Sequence, residues 1–150
     1  LDNALEIQYS YCDADTIDKV NILQATYQSM HQSLDQLTTA VDRILVDGDK
    51  FKPYIKINDN EEEWIPYVCF PKGDTLYLPI SAASIVAKVE HDKYIERICN
   101  EFPELDDRYD LLSNMGYGSK KHMDGIANYG VSQFHRKSFG KCKTSRVTVV

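Results

Sequence analysis

The 150-residue sequence lacks the patterns that mark several large classes of protein. No apolar run approaches the roughly 20 residues that a membrane-spanning helix requires, and no internal repeat or low-complexity block is present. The chain begins at Leu1 and not at Met, and no basic and apolar signal-peptide pattern follows. We therefore expect a protein with no membrane partner and a chain that is missing its own beginning.

Closely spaced cysteines are also absent. Cys12, Cys69, Cys99 and Cys142 are widely separated, without a Cys-x-x-Cys pair or a nearby histidine at zinc-ligand spacing. The pattern indicates reduced and mostly buried thiols, which are typical of a reducing compartment. We expect the protein in the cytoplasm, or in the nucleus if the source is eukaryotic.

The chain as a whole has no excess of basic residues, which speaks against a nucleic-acid-binding protein. Its formal net charge is −6. However, residues 116–150 carry +6, because seven Lys and Arg stand there against Asp124 alone, and residues 1–115 carry −12. This asymmetry indicates a basic C-terminal segment, 116–150, that binds a polyanion. The alternative is a solvated charged segment with no binding role.

The composition is that of an ordinary folded chain. A 43% apolar share beside 27% charged residues argues against a disordered protein. A length of 150 residues suits one domain and not two. We therefore expect residues 1–150 to form a single domain.

The first half of the chain alternates strand and helix patterns. Residues 4–11 alternate apolar and polar positions and are rich in Tyr, which predicts a half-buried strand. Asp13 is a candidate N-cap, and a helix about four turns long is predicted beyond it. Its apolar face comprises Leu23, Tyr27, Met30, Leu34 and Leu37. Further strands are predicted at 44–46 and 64–70, and the acidic run 59–63 indicates an exposed loop.

The second half of the chain has a helical pattern. A long amphipathic stretch from Ile80 to Phe102, broken by Pro103, predicts one helix. Ser119 is the expected cap of a final helix that extends to about residue 128. Together the two halves indicate an α/β fold with a mixed β-sheet flanked by helices and a helical C-terminal part.

Two aspartates follow the predicted strands and are candidate metal ligands. Asp47 ends a buried Ile-Leu-Val strand, and Asp74 follows Gly73 just after the second strand. Carboxylates that meet at the end of a sheet repel each other and require a shared proton or a cation, and oxygen ligands suit Mg²⁺ or Mn²⁺ and not zinc. The alternative for Asp47 is a tight Asp-Gly hairpin turn.

A second group of candidate residues lies in the basic segment. Tyr117 stands between two glycines, where its ring could stack on a sugar or base, and Lys120 and Lys121 are close enough for phosphate contacts. The alternative is a loop tyrosine that packs on the protein's own surface. For His135, in a second basic motif with Arg136, a capping or packing role is the simpler interpretation.

Taken together, the motifs resemble the ribonuclease HII family, the type 2 ribonucleases H. The matching segments occur in the family's order and span about residues 6 to 142. They are 21–26 (NILQAT), 46–48 (VDG), 72–74 (KGD), 81–89 (SAASIVAKV) followed by Asp92, 116–120 (GYGSK) and 135–139 (HRKSF).

The resemblance implies a ribonuclease H-like fold and an endonuclease that acts as a monomer. Its partners would be RNA/DNA hybrids, whose RNA strand it cuts, and duplex DNA with embedded ribonucleotides, which it cuts on their 5′ side. Two divalent ions, Mg²⁺ or Mn²⁺, would be held by four acids, of which Asp47 and Asp74 resemble two. Tyr117 resembles the tyrosine that packs on the sugar and helps to sense its 2′-hydroxyl. The other substrate-binding residues would be Lys120, Lys121 and Arg136.

Two family motifs have no counterpart in this sequence. The family opens with a strand that bears an Asp-Glu pair and with a nearby Gly-Arg-Gly, and neither occurs here. We expect a ribonuclease HII-like catalytic domain that lacks its N-terminal strands, and little or no cleavage by this chain alone. The alternative is a non-catalytic nucleic-acid-binding module of the same fold.

Overall fold

A computed structural model describes residues 4–58 and 61–150. It contains short strands, several helices and, near the C-terminus, a short 3-10 helix at Gly140–Thr144. The strands are β1 (Ile44–Asp47), β2 (Tyr54–Asn58), β3 (Glu61–Ile65) and β4 (Tyr67–Phe70). The helices are α1 (Ala14–Val20), α2 (Ile22–Asp35), α3 (Gly73–Leu76), α4 (Leu78–Glu101), α5 (Glu104–Tyr109), α6 (Leu111–Asn114) and α7 (Lys120–Tyr129).

The chain forms two compact units. The first unit comprises the residues up to Tyr11 together with Thr26–Lys88, and the second comprises Cys12–Ala25 and Val89–Val150. Each unit has its own buried apolar cluster. That the 150 residues act as a single domain stays a prediction.

The strands confirm the mixed α/β class, although their pairing differs from the expected single sheet. Among the described residues, β1 and β4 form a two-stranded parallel sheet and β2 and β3 a two-stranded antiparallel one. The predicted strand 64–70 is therefore wrong as one element. Pro66 divides it, because proline has no backbone N–H to donate to a ladder.

The acidic run predicts an exposed loop, and for Glu61–Glu63 the predicted loop is wrong. These residues begin β3, where they pair with β2 and remain exposed. The first part of the run, Asp59 and Asn60, lies outside the described residues. The sequence did not reveal this strand because Glu61–Glu63 are exposed on both faces and so lack the alternation of apolar and polar residues that marks a half-buried strand.

The predicted strand at 4–11 is also wrong. Its described residues have no ladder partner and no regular secondary structure. The segment is instead held by Glu6, whose carboxylate accepts hydrogen bonds from the Thr38 and Thr39 amides at 2.9–3.1 Å. The bonds from Thr39 and Thr38 lower the pKa of Glu6 to about 2. A second hydrogen bond holds the segment at Ser10, whose hydroxyl accepts from the Gln36 side chain at 2.7 Å. The period-2 pattern thus occurs here in a segment held by side-chain hydrogen bonds and not by a ladder.

The predicted N-terminal helix is confirmed but is broken in two. Asp13 caps α1 by accepting a hydrogen bond from the Thr16 amide at 2.7 Å. At Asn21 the backbone turns to a φ of 69°, which ends α1, and the Asn21 side chain then accepts a hydrogen bond from the Gln24 amide in α2 at 3.1 Å. Asn tolerates a positive φ better than most residues. Leu37 lies beyond the end of α2, and Leu23 is exposed.

The core of the first unit lies between α2 and the strands. Tyr27, Met30 and Leu34 of α2 pack against a buried cluster from the strands and their connections. That cluster comprises Ile44, Val46, Phe51, Tyr54 and Ile65. The Tyr54 hydroxyl donates a hydrogen bond to Asp35 at 2.7 Å, and burial together with this carboxylate raises the pKa of Tyr54 to about 12.

The core of the second unit joins the later part of α4 to α5 and α7. Its buried apolar residues are Ile95, Ile98, Cys99, Leu105, Tyr109, Leu111, Ile126 and Val131. Gly125 allows α7 to lie directly on α5, because a Cβ there would come within 2.1 Å of the Arg108 carbonyl oxygen. The predicted helices ending at Pro103 and beginning at Ser119 are confirmed as α4 and α7. None of the helices in the described ranges has the length and apolarity needed to cross a bilayer.

Candidate functional site

Asp47 lies at the carboxyl end of β1. Ile44 and Val46 of this strand point into the core, so the alternation of side chains leaves Leu45 and Asp47 exposed. One carboxylate oxygen of Asp47 accepts a hydrogen bond from the Gly73 amide at 2.8 Å. The side chain is thus oriented by the backbone and remains open to solvent.

Asp74 is in the first turn of α3 and is exposed. Gly73, which precedes it, is buried, and a Cβ on Gly73 would come within 2.7 Å of Ile80 Cδ1 and 3.1 Å of Phe70 Cβ. Glycine thus lets this turn pack close to the end of β4 without displacing the Ile80 and Phe70 side chains. The hydrogen bond from Gly73 to Asp47 brings the Asp47 carboxylate beside the residue that precedes Asp74 in the chain.

The donors at this strand end are of the kind that bind hard divalent cations. Carboxylate oxygens suit Mg²⁺ and Mn²⁺, and Mg²⁺ is commonly held by only one or two carboxylates together with water and substrate phosphates. Asp47 keeps acceptor capacity beyond its single bond to Gly73, because a carboxylate has about four lone-pair sites. Within the described ranges no group of three or more His, Cys, Asp or Glu residues could hold a metal ion. The two acids thus fit a magnesium-type site that depends on further ligands.

Tyr117 lies in the loop between α6 and α7, in the second unit. Gly116 has a φ of 79°, a conformation that glycine adopts without strain. The Tyr117 side chain is 65% exposed, which is enough for a ring to stack on a ligand. Its backbone is held: the amide donates to Asn114 O at 2.9 Å and the carbonyl accepts from the Ser119 amide at 2.8 Å.

Lys120 and Lys121 form the first turn of α7, directly after the Ser119 cap. Lys120 pairs with Asp124 at 2.9 Å and Lys121 with Asp110 at 3.2 Å. The hydrogen bond to Asp124 raises the pKa of Lys120. Exposed pairs of this kind contribute little to stability, because solvent screens the two charges, so both ammonium groups can exchange a carboxylate for a phosphate.

Arg136 begins a basic motif that is fixed in place from α1. Its guanidinium lies 4.2 Å from the centre of the Phe139 ring. The Asp18 carboxylate accepts hydrogen bonds from the Lys137 amide, the Ser138 amide at 3.0 Å and the Ser138 hydroxyl. Burial alone would raise the pKa of Asp18, but these bonds outweigh it and lower the pKa below its usual value. The role of Asp18 was missed, since nothing in the sequence links it to residues 120 positions away.

His135 is buried, as its packing interpretation predicted, but it also belongs to a hydrogen-bonded network. Its Nε2 lies 3.1 Å from Nε2 of His122, and its Nδ1 lies 3.1 Å from the Ser132 amide nitrogen. On the far side, Nδ1 of His122 lies 2.9 Å from the Tyr117 carbonyl oxygen. Burial and the neighbouring imidazole lower the pKa of His135 to about 4. Sequence reasoning missed His122, although it follows Lys121 in the same basic motif.

The candidate residues thus fall into two sets. Asp47 and Asp74 belong to the first unit, where Asp47 is hydrogen-bonded to the residue before Asp74, and Tyr117, Lys120, Lys121 and Arg136 belong to the second. The first set supplies carboxylate oxygens at a strand end, and the second supplies an exposed tyrosine and basic side chains. The mixed α/β fold that carries them is consistent with the ribonuclease H-like class. The comparisons with known proteins make the assignment specific.

The chain belongs to the ribonuclease HII family, whose model, described as "Ribonuclease HII", matches residues 2–142. A protein of that name from Christiangramia forsetii is 41% identical over 138 residues, 92% of this chain and 64% of the relative. One from Bacteroides fragilis is 42% identical over 82% of this chain and 55% of the relative. One from Trichodesmium erythraeum is 40% identical over 95% of this chain and 62% of the relative. The chain therefore spans less than two thirds of these relatives' length.

Proposed function

We propose that this chain forms part of an endonuclease that cuts the RNA strand of RNA/DNA hybrids and cuts duplex DNA on the 5′ side of an embedded ribonucleotide. The observation that carries the proposal is the 2.8 Å hydrogen bond from the Gly73 amide to Asp47, which sets Asp47 beside the turn that bears Asp74. Two exposed carboxylates at one strand end are what a phosphodiester hydrolase of this family needs from this part of its chain.

Asp47 and Asp74 would hold Mg²⁺ or Mn²⁺ in this proposal. Two such ions, when bound, supply an activated water and stabilise the charge that develops on the leaving 3′ oxygen. Asp47 contributes orientation as well as charge, since its bond to Gly73 fixes one oxygen. Asp74, in the exposed first turn of α3, would supply a second carboxylate to the metal ions.

The second unit would bind the substrate. The exposed Tyr117 ring would pack on the sugar of the ribonucleotide, and the 2′-hydroxyl that distinguishes RNA from DNA lies on that sugar. Lys120, Lys121 and Arg136 would contact phosphates, and the exposure of the two lysine ion pairs supports this exchange. All four cysteines are free, which supports action in the reducing cytoplasm. We also propose that the protein acts as a monomer.

The test is cleavage of a duplex that contains one ribonucleotide, in Mg²⁺ or Mn²⁺, by the full-length gene product that contains this chain. We expect Asp47→Asn to reduce the cleavage rate by about a thousandfold or more while the affinity for the duplex changes little. Asp42→Asn, which alters another exposed carboxylate of the first unit, is the matched control and should cleave normally.

Unchanged turnover in Asp47→Asn would remove Asp47 from the site. The competing function, a nucleic-acid-binding module without catalysis, gives a different result. In that case the wild-type protein binds the duplex and cleaves it in neither metal.

A further inference from the structure

His122 and His135 form a pair of buried imidazoles that the proposed function does not use. Their residues are 6% and 8% exposed, and the two Nε2 atoms are 3.1 Å apart. At one end of the pair, Nδ1 of His122 is bonded to the carbonyl of Tyr117, and at the other, Nδ1 of His135 is bonded to the amide of Ser132. The pair therefore connects a buried loop to the residue proposed to contact the sugar.

The backbone partners fix the direction of every bond in this series. A carbonyl oxygen can only accept, so Nδ1 of His122 carries a proton and donates to Tyr117. A backbone amide can only donate, so Nδ1 of His135 is unprotonated and accepts from Ser132. Each neutral imidazole carries one proton. Nε2–H of His135 must then donate to Nε2 of His122. The Tyr117 carbonyl and the Ser132 amide, taken separately, both require this direction.

A third ring proton would break this arrangement. On His122 it would set two N–H groups against each other across the 3.1 Å gap, and on His135 it would face the Ser132 amide. The groups that face the pair offer no negative charge. From α5, the Tyr109 ring lies 4.6 Å from His135 and its hydroxyl donates to Gly130 O at 3.1 Å, while the Ser132 hydroxyl lies 2.8 Å from His135 Nδ1.

No carboxylate is bonded to either imidazole in the part of the chain that the structure describes. The low pKa of His135 agrees with this environment, because burial and a neighbouring imidazole both disfavour the charged form. His135 therefore favours the neutral form, which accepts the hydrogen bond from the Ser132 amide.

The Tyr117 carbonyl oxygen has two hydrogen-bond partners. It accepts from the Ser119 amide at 2.8 Å and from Nδ1 of His122 at 2.9 Å. Two such bonds define the plane of the peptide that follows Tyr117, between flexible glycines at 116 and 118. The imidazoles therefore restrict a loop whose own sequence would leave it mobile.

We propose that His122 and His135 are positioning residues. Their series of hydrogen bonds from Ser132 to Tyr117, here called the relay, holds Tyr117 in the conformation that distinguishes a ribonucleotide from a deoxyribonucleotide. The proposal rests on the proposed function for its substrate. The relay itself can be tested without substrate, so the failure of one can be told from the failure of the other.

The first experiment is nitrogen-15 NMR of the histidine side chains in the uniformly labelled full-length gene product at pH 7. We expect His122 as the Nδ1–H tautomer, which is the minor form of free histidine, and His135 as the Nε2–H tautomer. An imidazolium at either position, or an Nε2–H tautomer at His122, overturns the relay.

The second experiment compares two substitutions of His122 in the full-length gene product. Asn places an amide N–H near the position of Nδ1 and so can still donate to Tyr117, whereas Leu cannot. The measurement is the ratio of affinities for a duplex with one ribonucleotide and for the all-DNA duplex, with every protein in the Asp47→Asn background, which we expect to bind the duplex without cutting it. We expect His122→Leu to reduce this ratio about fivefold, the factor that corresponds to one net hydrogen bond, and His122→Asn to retain most of it.

His31→Gln is the matched control. His31 Nε2 also contacts a backbone carbonyl, that of Lys52 at 3.0 Å, but it lies in the first unit. This variant should leave the ratio unchanged. Equal ratios for wild type, Asn and Leu, in variants that fold, contradict the positioning role. A wild-type protein that binds both duplexes equally contradicts the assigned role of Tyr117, and the NMR result then still decides the relay.

Discussion

The acids of the first unit and the histidines of the second are candidate functional groups with opposite surroundings. Asp47 and Asp74 are exposed, and Asp47 is oriented by one backbone amide. His122 and His135 are buried, with both nitrogens of each ring hydrogen-bonded. A metal ligand needs open lone pairs, whereas a group that fixes a loop must be fully bonded. We therefore expect substitutions to affect catalysis in the first set, and stability and ribonucleotide discrimination in the second.

The largest expected loss of stability comes from breaking the contact between α5 and α7, the helix that carries His122. Gly125→Ala places a Cβ within 2.1 Å of the Arg108 carbonyl oxygen, so one of the helices must shift. We expect a loss of about 3 kcal/mol in the free energy of unfolding, measured by denaturant titration. Gly118→Ala is the control, because its Cβ would meet Met123 Sδ at an ordinary 3.8 Å. Equal stability in the two variants would show that α7 is not held this closely.

The second effect is a pH dependence that belongs to His135. Below pH 6.5 the unfolded chain binds a proton that the folded chain accepts only near pH 4, so stability falls as the pH falls through this window. Since one pKa unit corresponds to about 1.4 kcal/mol, the loss is roughly 3 kcal/mol and is complete below about pH 4. It is measured as the difference between wild type and His135→Gln in unfolding titrations from pH 7 to 4. Parallel curves for the two proteins would contradict it.

A smaller effect is expected where α1 holds the basic motif. Asp18→Ala removes the acceptor of the Lys137 and Ser138 amides, and we expect it to lower the free energy of unfolding by about 2 kcal/mol. Asp15→Ala is the control, since it removes an exposed ion pair with Lys137 at 3.0 Å and one acidic group from the first turn of α1, both of which contribute little. If thermal unfolding shows the control to be equally damaging, the hydrogen bonds to Asp18 contribute little.

The smallest effect on stability is expected at the acids. Asp47→Asn retains a carbonyl oxygen for the Gly73 amide, so the free energy of unfolding should change by less than about 0.5 kcal/mol. The stabilisation of the wild type by added Mg²⁺ should be lost, because the substitution removes the charge. Thermal unfolding with and without Mg²⁺ measures both. A large loss of stability without metal would mean that Asp47 is structural, and the contrast between the two sets would fail.

Local signals in the sequence predicted the longer helices better than the strands, although the short helices α3, α5 and α6 were not predicted. The caps at Asp13 and Ser119 act within one turn, so residue identity alone reveals them. A strand depends on a distant partner. Residues 4–11 have the alternation of a strand but no such partner among the described residues, and residues 61–70 are divided between partners that precede them in the chain.

The same distinction applies to the candidate site. Asp47 was predicted because a buried strand and a glycine flank it, and Tyr117 because glycines surround it. The bonds of His135 to His122 and of Ser138 to Asp18 were not predictable, because they join residues that are 13 and 120 positions apart. Their positions in the sequence carry no period, cap or turn signal. Chemical roles that act through neighbours in space therefore required coordinates.

The division of residues 61–70 at Pro66 has a consequence for the order of folding. The β2–β3 hairpin joins residues at most 11 positions apart, whereas β1 and β4 pair across 23 positions. Because β4 begins one residue after β3, a formed hairpin shortens the loop that must close before the parallel pair can assemble. Hairpins form within about 10 microseconds, so we expect the β2–β3 pair to precede β1–β4. Destabilising substitutions at the exposed Ile57 should then slow refolding, whereas those at Leu45 in β1 should mainly speed unfolding. The strand end that carries Asp47 would thus be assembled late, on a template that the hairpin provides.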